Sequence, residues 1–332
     1  NKIEAWLMRL ALTRRTALSG AALLAAGTAV GAVNVQSLAS RLRAHCEELV
    51  RADDLSGAVL LVENGRPLFR AAFGLADRER NLANTPETHF NLASVGKMFT
   101  SLSIMRFVES GRIALDDKLG KHWPDYPNPA VAQSVTLAQL LTHMAGIGNH
   151  YRVTAAKLPP TATQTQIVHT FAAKAPDAVP GAAFSYSNDG FIILGALIER
   201  LSGMPYADHC HATIFAPLGM NGTGFVVPPG RPAGFARAYA RDLERPGVWR
   251  DATETDGLAP VAAGGCYSTG DDMQRFADAI GRGRLLKPEL TRAWLEGRIA
   301  FRSGRYGYGT MEETLGAQRI VGHNMRATSF TL

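Results

Sequence analysis

Residues 90–101 read FNLASVGKMFTS, and the reading of the rest of the chain starts from this run. Ser94 and Lys97 stand three apart where a helix is expected to begin. From Ser94 to Ser110 apolar residues recur at helical period through Met98, Leu102, Met105 and Val108, and Gly111 supplies a stop. The i, i+3 spacing puts the hydroxyl and the amine on one face, within hydrogen-bonding reach. A serine at a helix N-terminus sees the positive end of the dipole and unpaired N–H groups, and its own N–H can serve an oxyanion hole. A lysine in a partly dry pocket can lose its proton and activate that serine. The same four letters also fit an N-capping serine followed by a surface lysine, so the pair needs support from elsewhere.

Support comes from residues 184–191, FSYSNDGF, ahead of an apolar helix expected over residues 188–201. A tyrosine with its pKa lowered beside a lysine ammonium can shuttle protons, which makes Tyr186 the candidate. The Asn188 amide could hold the lysine or orient a substrate carbonyl. Taken alone, this is a loop entering a helix with a capping asparagine. Both motifs precede long helices, in this order and with matching text around them, which chance rarely produces.

On these residues the chain resembles the serine β-lactamase-related hydrolases. That superfamily holds class C β-lactamases, D-Ala-D-Ala peptidases, D-amino-acid peptidases and related esterases. The likeness runs from about residue 40 onward, through GRIALDDKL, TLAQLLTHMAGI, FSYSNDGFIILGALIERLSG, IFAPLGM and GGCYSTGDDMQRFA. It implies a β-lactamase/transpeptidase-like fold, acylation of Ser94, proton transfer through Lys97 and Tyr186, and hydrolysis of the acyl-enzyme. Asn188 completes the second motif, and no metal or cofactor is implied.

The third motif of the resemblance is Lys-Thr-Gly or His-x-Gly on a strand beside the site. No Lys-Thr-Gly exists here, and the matching place is Gly322-His323-Asn324-Met325-Arg326. His323 fits as a substrate-binding residue. Met325 stands where the resemblance places glycine, and its side chain should crowd the cleft. Arg326 falls where a backbone N–H completes the oxyanion hole, which makes it the other substrate-binding candidate. His323 in place of lysine leans toward a peptidase or esterase rather than a dedicated β-lactamase. The resemblance also implies two more strands and a closing helix after this point, whereas the chain stops at Leu332. The expectation is therefore a domain incomplete at its C-terminus, whose hairpin over residues 57–74 and last strands cannot join one sheet. A non-catalytic remnant that binds a ligand without turnover is the alternative to an active hydrolase.

The remaining elements agree with α+β segregation. An amphipathic helix is expected over residues 35–52, then a strand from Gly57 to Glu63, a turn at Asn64-Gly65 and a returning strand from Pro67. Thr136 is a plausible N-cap, further helices are expected over residues 206–216 and 271–282, and strands over 306–314 and 317–323. Strands at both ends with helices between predict an antiparallel sheet built from both termini, with helices on its faces and a mainly helical insertion.

Composition bounds the partners. The chain has 332 residues, 46% hydrophobic and 19% charged, enough for a sizeable core and too apolar for disorder. The net charge of +6 is scattered and mostly arginine, with no basic stripe interleaved with aromatics, so nucleic acid is not an expected partner. A small-molecule or peptide substrate is expected, and the oligomeric state is not legible. Residues 13–32, TRRTALSGAALLAAGTAVGA, have paired arginines, a weakly apolar run and small residues at the end. This layout is that of a twin-arginine export signal. Residues 1–32 are thus expected to direct export to the periplasm or medium and 33–332 to form the hydrolase domain, with membrane contact only through an uncleaved signal. Three cysteines at long spacings make no disulfide framework. His209 and His211 do not share a helix face and are not expected to hold a metal. His143, in the run LLTHMAG, reads as a structural residue near the site. A Ser-His-Asp triad through it lacks a Gly-x-Ser-x-Gly elbow.

Overall fold

The structure is a computed structural model that describes residues 35–156, 158–159, 161–225, 234–242, 244–245, 247–253, 261–315, 318–324 and 329–331. The export-signal reading of residues 13–32 lies outside them, as do Met325 and Arg326.

Helix α1 (Val35–Arg51) packs on a hairpin of β1 (Gly57–Glu63) and β2 (Arg66–Phe73). Asn64 and Gly65 both take positive φ, 51° and 78°, as the tight turn requires of its two central residues. Beneath the hairpin lies a small core of Cys46, Phe69, Ala71 and Phe73.

The main core surrounds α2 (Lys97–Glu109) and α5 (Asn188–Ser202). Phe191, Ile192, Ile193, Leu194, Ala196, Leu197 and Ile198 of α5 are completely buried. Against α5 pack α2, α3 (Leu137–Leu141) and α4 (Gln164–His169). Each large apolar side chain buried this deeply contributes roughly 1.5–3 kcal/mol, so the α2–α5 pair is a firm base for whatever it carries. Thr136 caps α3 as expected, and Gln139 reciprocates to complete a capping box. Helix α6 (Gly270–Gly281) is capped by the Thr269 hydroxyl and packs on β1. Helix α7 (Pro288–Leu295) packs on α2, with the buried Trp294 Nε1–H donating to Ser101 Oγ at 2.8 Å.

The last strands form an antiparallel sheet in the order β7-β6-β5-β4-β3. They are β3 (Ile299–Phe301), β4 (Gly304–Tyr306), β5 (Met311–Leu315), β6 (Gln318–Asn324) and β7 (Ser329–Thr331). Among the described residues this sheet and the β1–β2 hairpin share no strand pairing, so strands from the two chain ends stand as separate sheets. The architecture is α+β, as expected, but the single antiparallel sheet expected from both termini is not formed among the described residues, because no strand there bridges the hairpin and the last five strands.

Two elements differ from the sequence reading. The strand expected over residues 306–314 is two strands, because Gly307 N–H bonds Thr310 O at 2.8 Å and Gly309 turns the chain at φ 73°. The helix expected over 206–216 runs only over Tyr206–Cys210 before a π turn (His211–Phe215) and a 3-10 turn (Ala216–Leu218). Pro217 cannot continue an α-helical ladder. The Thr213 carbonyl it would crowd is taken instead by the Arg106 guanidinium.

Candidate active site

Ser94 lies in a 3-10 turn (Ala93–Gly96) that runs into α2. Asn91 Oδ1 accepts the Ala93 N–H at 2.7 Å, and Ala93 is held at φ 46°, a left-handed conformation that costs a residue with a Cβ on the order of 1–2 kcal/mol. This kink lifts the serine out of the core. From Leu92 to Thr100 every residue is buried except Ser94, which is half-exposed. The first hydrogen bond of the turn runs from Val95 N to Leu92 O.

Residues 261–266 form a backbone wall behind the turn. Leu92 N–H donates to Cys266 O at 2.8 Å, Thr100 Oγ1 to Ala262 O at 2.6 Å and Lys97 Nζ to Ala263 O at 2.6 Å. Glycine is required here by close approach: a Cβ on Gly96 would meet Cys266 Sγ at 2.8 Å, and one on Gly264 the Ala93 carbonyl oxygen at 2.8 Å.

Lys97 is completely buried. Its Nζ makes three contacts, all with neutral oxygens: Ser94 Oγ at 3.1 Å, Asn188 Oδ1 at 2.8 Å and Ala263 O at 2.6 Å. Burial of the amine, with no carboxylate among its influences, pushes its pKa well below the usual lysine range. Asn188 therefore holds the lysine through its side chain, one of the two uses its sequence position allows. Its amide comes from the first turn of α5, which the Ser187 hydroxyl caps by accepting Gly190 N–H at 2.9 Å.

Tyr186 hydrogen-bonds the Ser94 hydroxyl, and its ring centroid lies 4.9 Å from Lys97 Nζ. The expected lowering of its pKa is not found. Burial pushes the phenol above its ordinary value of 10.0, and its hydrogen bond with Ser94 offsets this only in part. Desolvation of the phenol outweighs the lowering influences of Ser94 and Arg302.

His323 is buried on β6, the strand that packs beside the Ser94 turn. Its Nε2 lies 3.2 Å from Tyr306 Oη, and Tyr306 in turn meets the Tyr186 ring edge-on at 6.2 Å between centroids. His323 thus joins the site through Tyr306. His143 is where the sequence placed it, beside the site and buried, and its Nδ1 accepts Ser187 N–H at 3.1 Å rather than a serine hydroxyl. The residue that sequence reading missed is Asn149. Its Nδ2 donates to Tyr186 O at 2.7 Å and its Oδ1 accepts Asn188 N–H at 2.6 Å, so one amide grips both motif residues. Nothing in the letters GIGNH marks it out.

Among the described residues no cluster of three or more His, Cys, Asp or Glu is placed to hold a metal ion, and no helix is long and apolar enough to cross a membrane. The three cysteines are buried and free, and burial pushes the Cys266 thiol up, which disfavours the thiolate.

The beta-lactamase family profile matches residues 42–329. Esterase EstB of Burkholderia gladioli is 30% identical over 283 residues, covering 75% of this chain and 71% of its own. Penicillin-binding protein 4* of Bacillus subtilis is 30% identical over 215 residues, covering 63% of this chain and 47% of its own, so the chain spans about half of that relative. The crystal structure of a penicillin-binding protein from Bacillus halodurans superposes with a TM-score of 0.71 at 28% identity, over 83% of this chain and 87% of that one.

Proposed function

The chain belongs to the beta-lactamase family, and on that premise we propose that it is a serine hydrolase that cleaves an ester or amide through a Ser94 acyl-enzyme. The observation that carries the reading is the hydrogen-bonding of Lys97 Nζ. A neutral amine has two N–H donors and one lone pair. Asn188 Oδ1 and Ala263 O only accept, so they take both N–H groups. In that neutral state the lone pair is left facing Ser94 Oγ, 3.1 Å away, and can take up the hydroxyl proton. Burial of the amine favours this neutral state.

The sequence of steps follows. Ser94 Oγ attacks the substrate carbonyl carbon while its proton passes to Lys97 Nζ. The carbonyl π pair moves to oxygen, and the Ser94 N–H is one donor to that oxyanion. The raised pKa keeps the Tyr186 phenol protonated, so it gives its proton to the leaving group as the tetrahedral species collapses. The Lys97 ammonium then returns a proton to the phenolate. Water enters, the same groups run in reverse, and the acid is released with Ser94 restored. His323, joined through Tyr306, shapes the sheet side of the cleft, and Arg326 N–H is the second oxyanion donor in this proposal.

The name of the relative EstB makes an ester the first substrate to try. Hydrolysis of a short-chain p-nitrophenyl ester should be abolished in Ser94→Ala and reduced about 10²-fold or more in Lys97→Ala, the scale of a lost general base. Wild-type rates in both variants would remove the proposal.

A further inference from the structure

We infer that His143 is a positioning residue that fixes Tyr186 in its shuttle pose, and this rests on the reading of Tyr186 proposed above. His143 touches three consecutive residues in three different ways. Its carbonyl accepts Ser185 N–H at 2.9 Å. Its ring Nδ1 accepts Ser187 N–H at 3.1 Å. Its imidazole lies against the Tyr186 ring, with centroids 4.2 Å apart and planes tilted by 38°. The main chain on both sides of the tyrosine and the ring between them are thereby held by one side chain and its own backbone.

The chain spends conformational freedom to place it. His143 follows α3 at φ 58°, in the left-handed region that residues with a Cβ seldom enter. Phe184, Phe191 and Tyr306 complete an aromatic box, at 5.6, 5.1 and 4.6 Å between centroids. Within it Nε2 has no hydrogen-bond partner among the described residues. An orphaned polar atom in such a box is unfavourable, and an apolar ring would fill the space without it. What an apolar ring cannot supply is the acceptor for Ser187 N–H. That acceptor requires neutral imidazole with its proton on Nε2, and burial favours the neutral form.

Two variants separate the contacts. His143→Asn tolerates the left-handed backbone and keeps a side-chain acceptor near Ser187, but removes the ring from Tyr186. His143→Phe keeps a ring and removes the acceptor. The assay compares a p-nitrophenyl ester, whose leaving group needs no proton, with an alkyl ester or amide, whose leaving group does. For both variants, folded by circular dichroism, kcat/KM on the alkyl ester, which reports acylation alone, should fall about 10-fold or more. On the p-nitrophenyl ester the loss should be several-fold smaller. In a Tyr186→Phe background, His143→Asn should cause no further loss. Equal losses on both leaving groups, or a full additional loss in the Tyr186→Phe background, would overturn the inference. If Tyr186→Phe alone leaves alkyl-ester turnover intact, the proposed role of the tyrosine fails instead, and that outcome is read from the single variant. Should one His143 variant fail to fold, the other decides by the same two comparisons.

Discussion

A charged lysine at position 97 would spend three donors on three acceptors and have no electron pair to offer Ser94. The residue-scale claim is therefore that Lys97 works as a neutral amine, and pH reads it directly. The active form is the deprotonated one, so kcat/KM should rise with pH through the Lys97 pKa. Burial moves that pKa well below the ordinary 10.5, so the rise should finish well below pH 10. The proton donor Tyr186 has its pKa raised above 10.0, so activity should hold through neutral and mildly alkaline pH and fall only above that value. A rise that begins only near pH 10, as an ordinary ammonium would give, contradicts the assignment. Ser94, Lys97, Tyr186 and Asn188 were legible as letters because short spacings at helix starts encode them. The direction of the Tyr186 shift was not legible, since desolvation is set by what packs around a residue and not by its neighbours in sequence.

At the scale of elements, the turn over Ala93–Gly96 and the wall over residues 261–266 must fit closely for Lys97 to reach Ala263 O. Gly96 has an ordinary helical backbone, so only space forbids a side chain there. Gly96→Ala would drive a methyl against Cys266 Sγ, with overpacking of this kind costing about 1–3 kcal/mol. The variant should lose stability in thermal melts and lose ester hydrolysis. Adding Cys266→Ala makes room, and the double variant should regain much of both, a coupling expected of residues in contact. Additive losses would show that the fit of turn to wall is not what Gly96 protects. The hairpin, α1, α5 and α6 stood close to their sequence-expected bounds, and α3 starts at its expected cap, because turn residues, caps and apolar periodicity are local signals. The strand pair β4 and β5 and the interrupted helix after Tyr206 did not. Gly307, Gly309 and Pro217 break regular structure there inside runs whose apolar pattern continues past the break.

At the scale of the molecule, the site is a meeting of distant segments. Residue 94 is joined to 188, 263 and, through Tyr186 and Tyr306, to 323, by contacts that no single element provides. The beta-lactamase fold performs this assembly, and the motifs announced which fold to expect, but the grip of Asn149 and His143 on the Tyr186 loop exists only once the chain has folded. Among the described residues the hairpin and the five-stranded sheet stand as separate sheets, so the question for the whole molecule is whether the assembled nucleophile is competent in this chain. Intact mass of the purified protein after incubation with a fluorophosphonate probe answers it. A single adduct on the wild-type chain, absent in Ser94→Ala, is the predicted result. No adduct on wild-type protein shown to be folded, or an adduct that persists in Ser94→Ala, would contradict the assignment of Ser94 as the activated nucleophile.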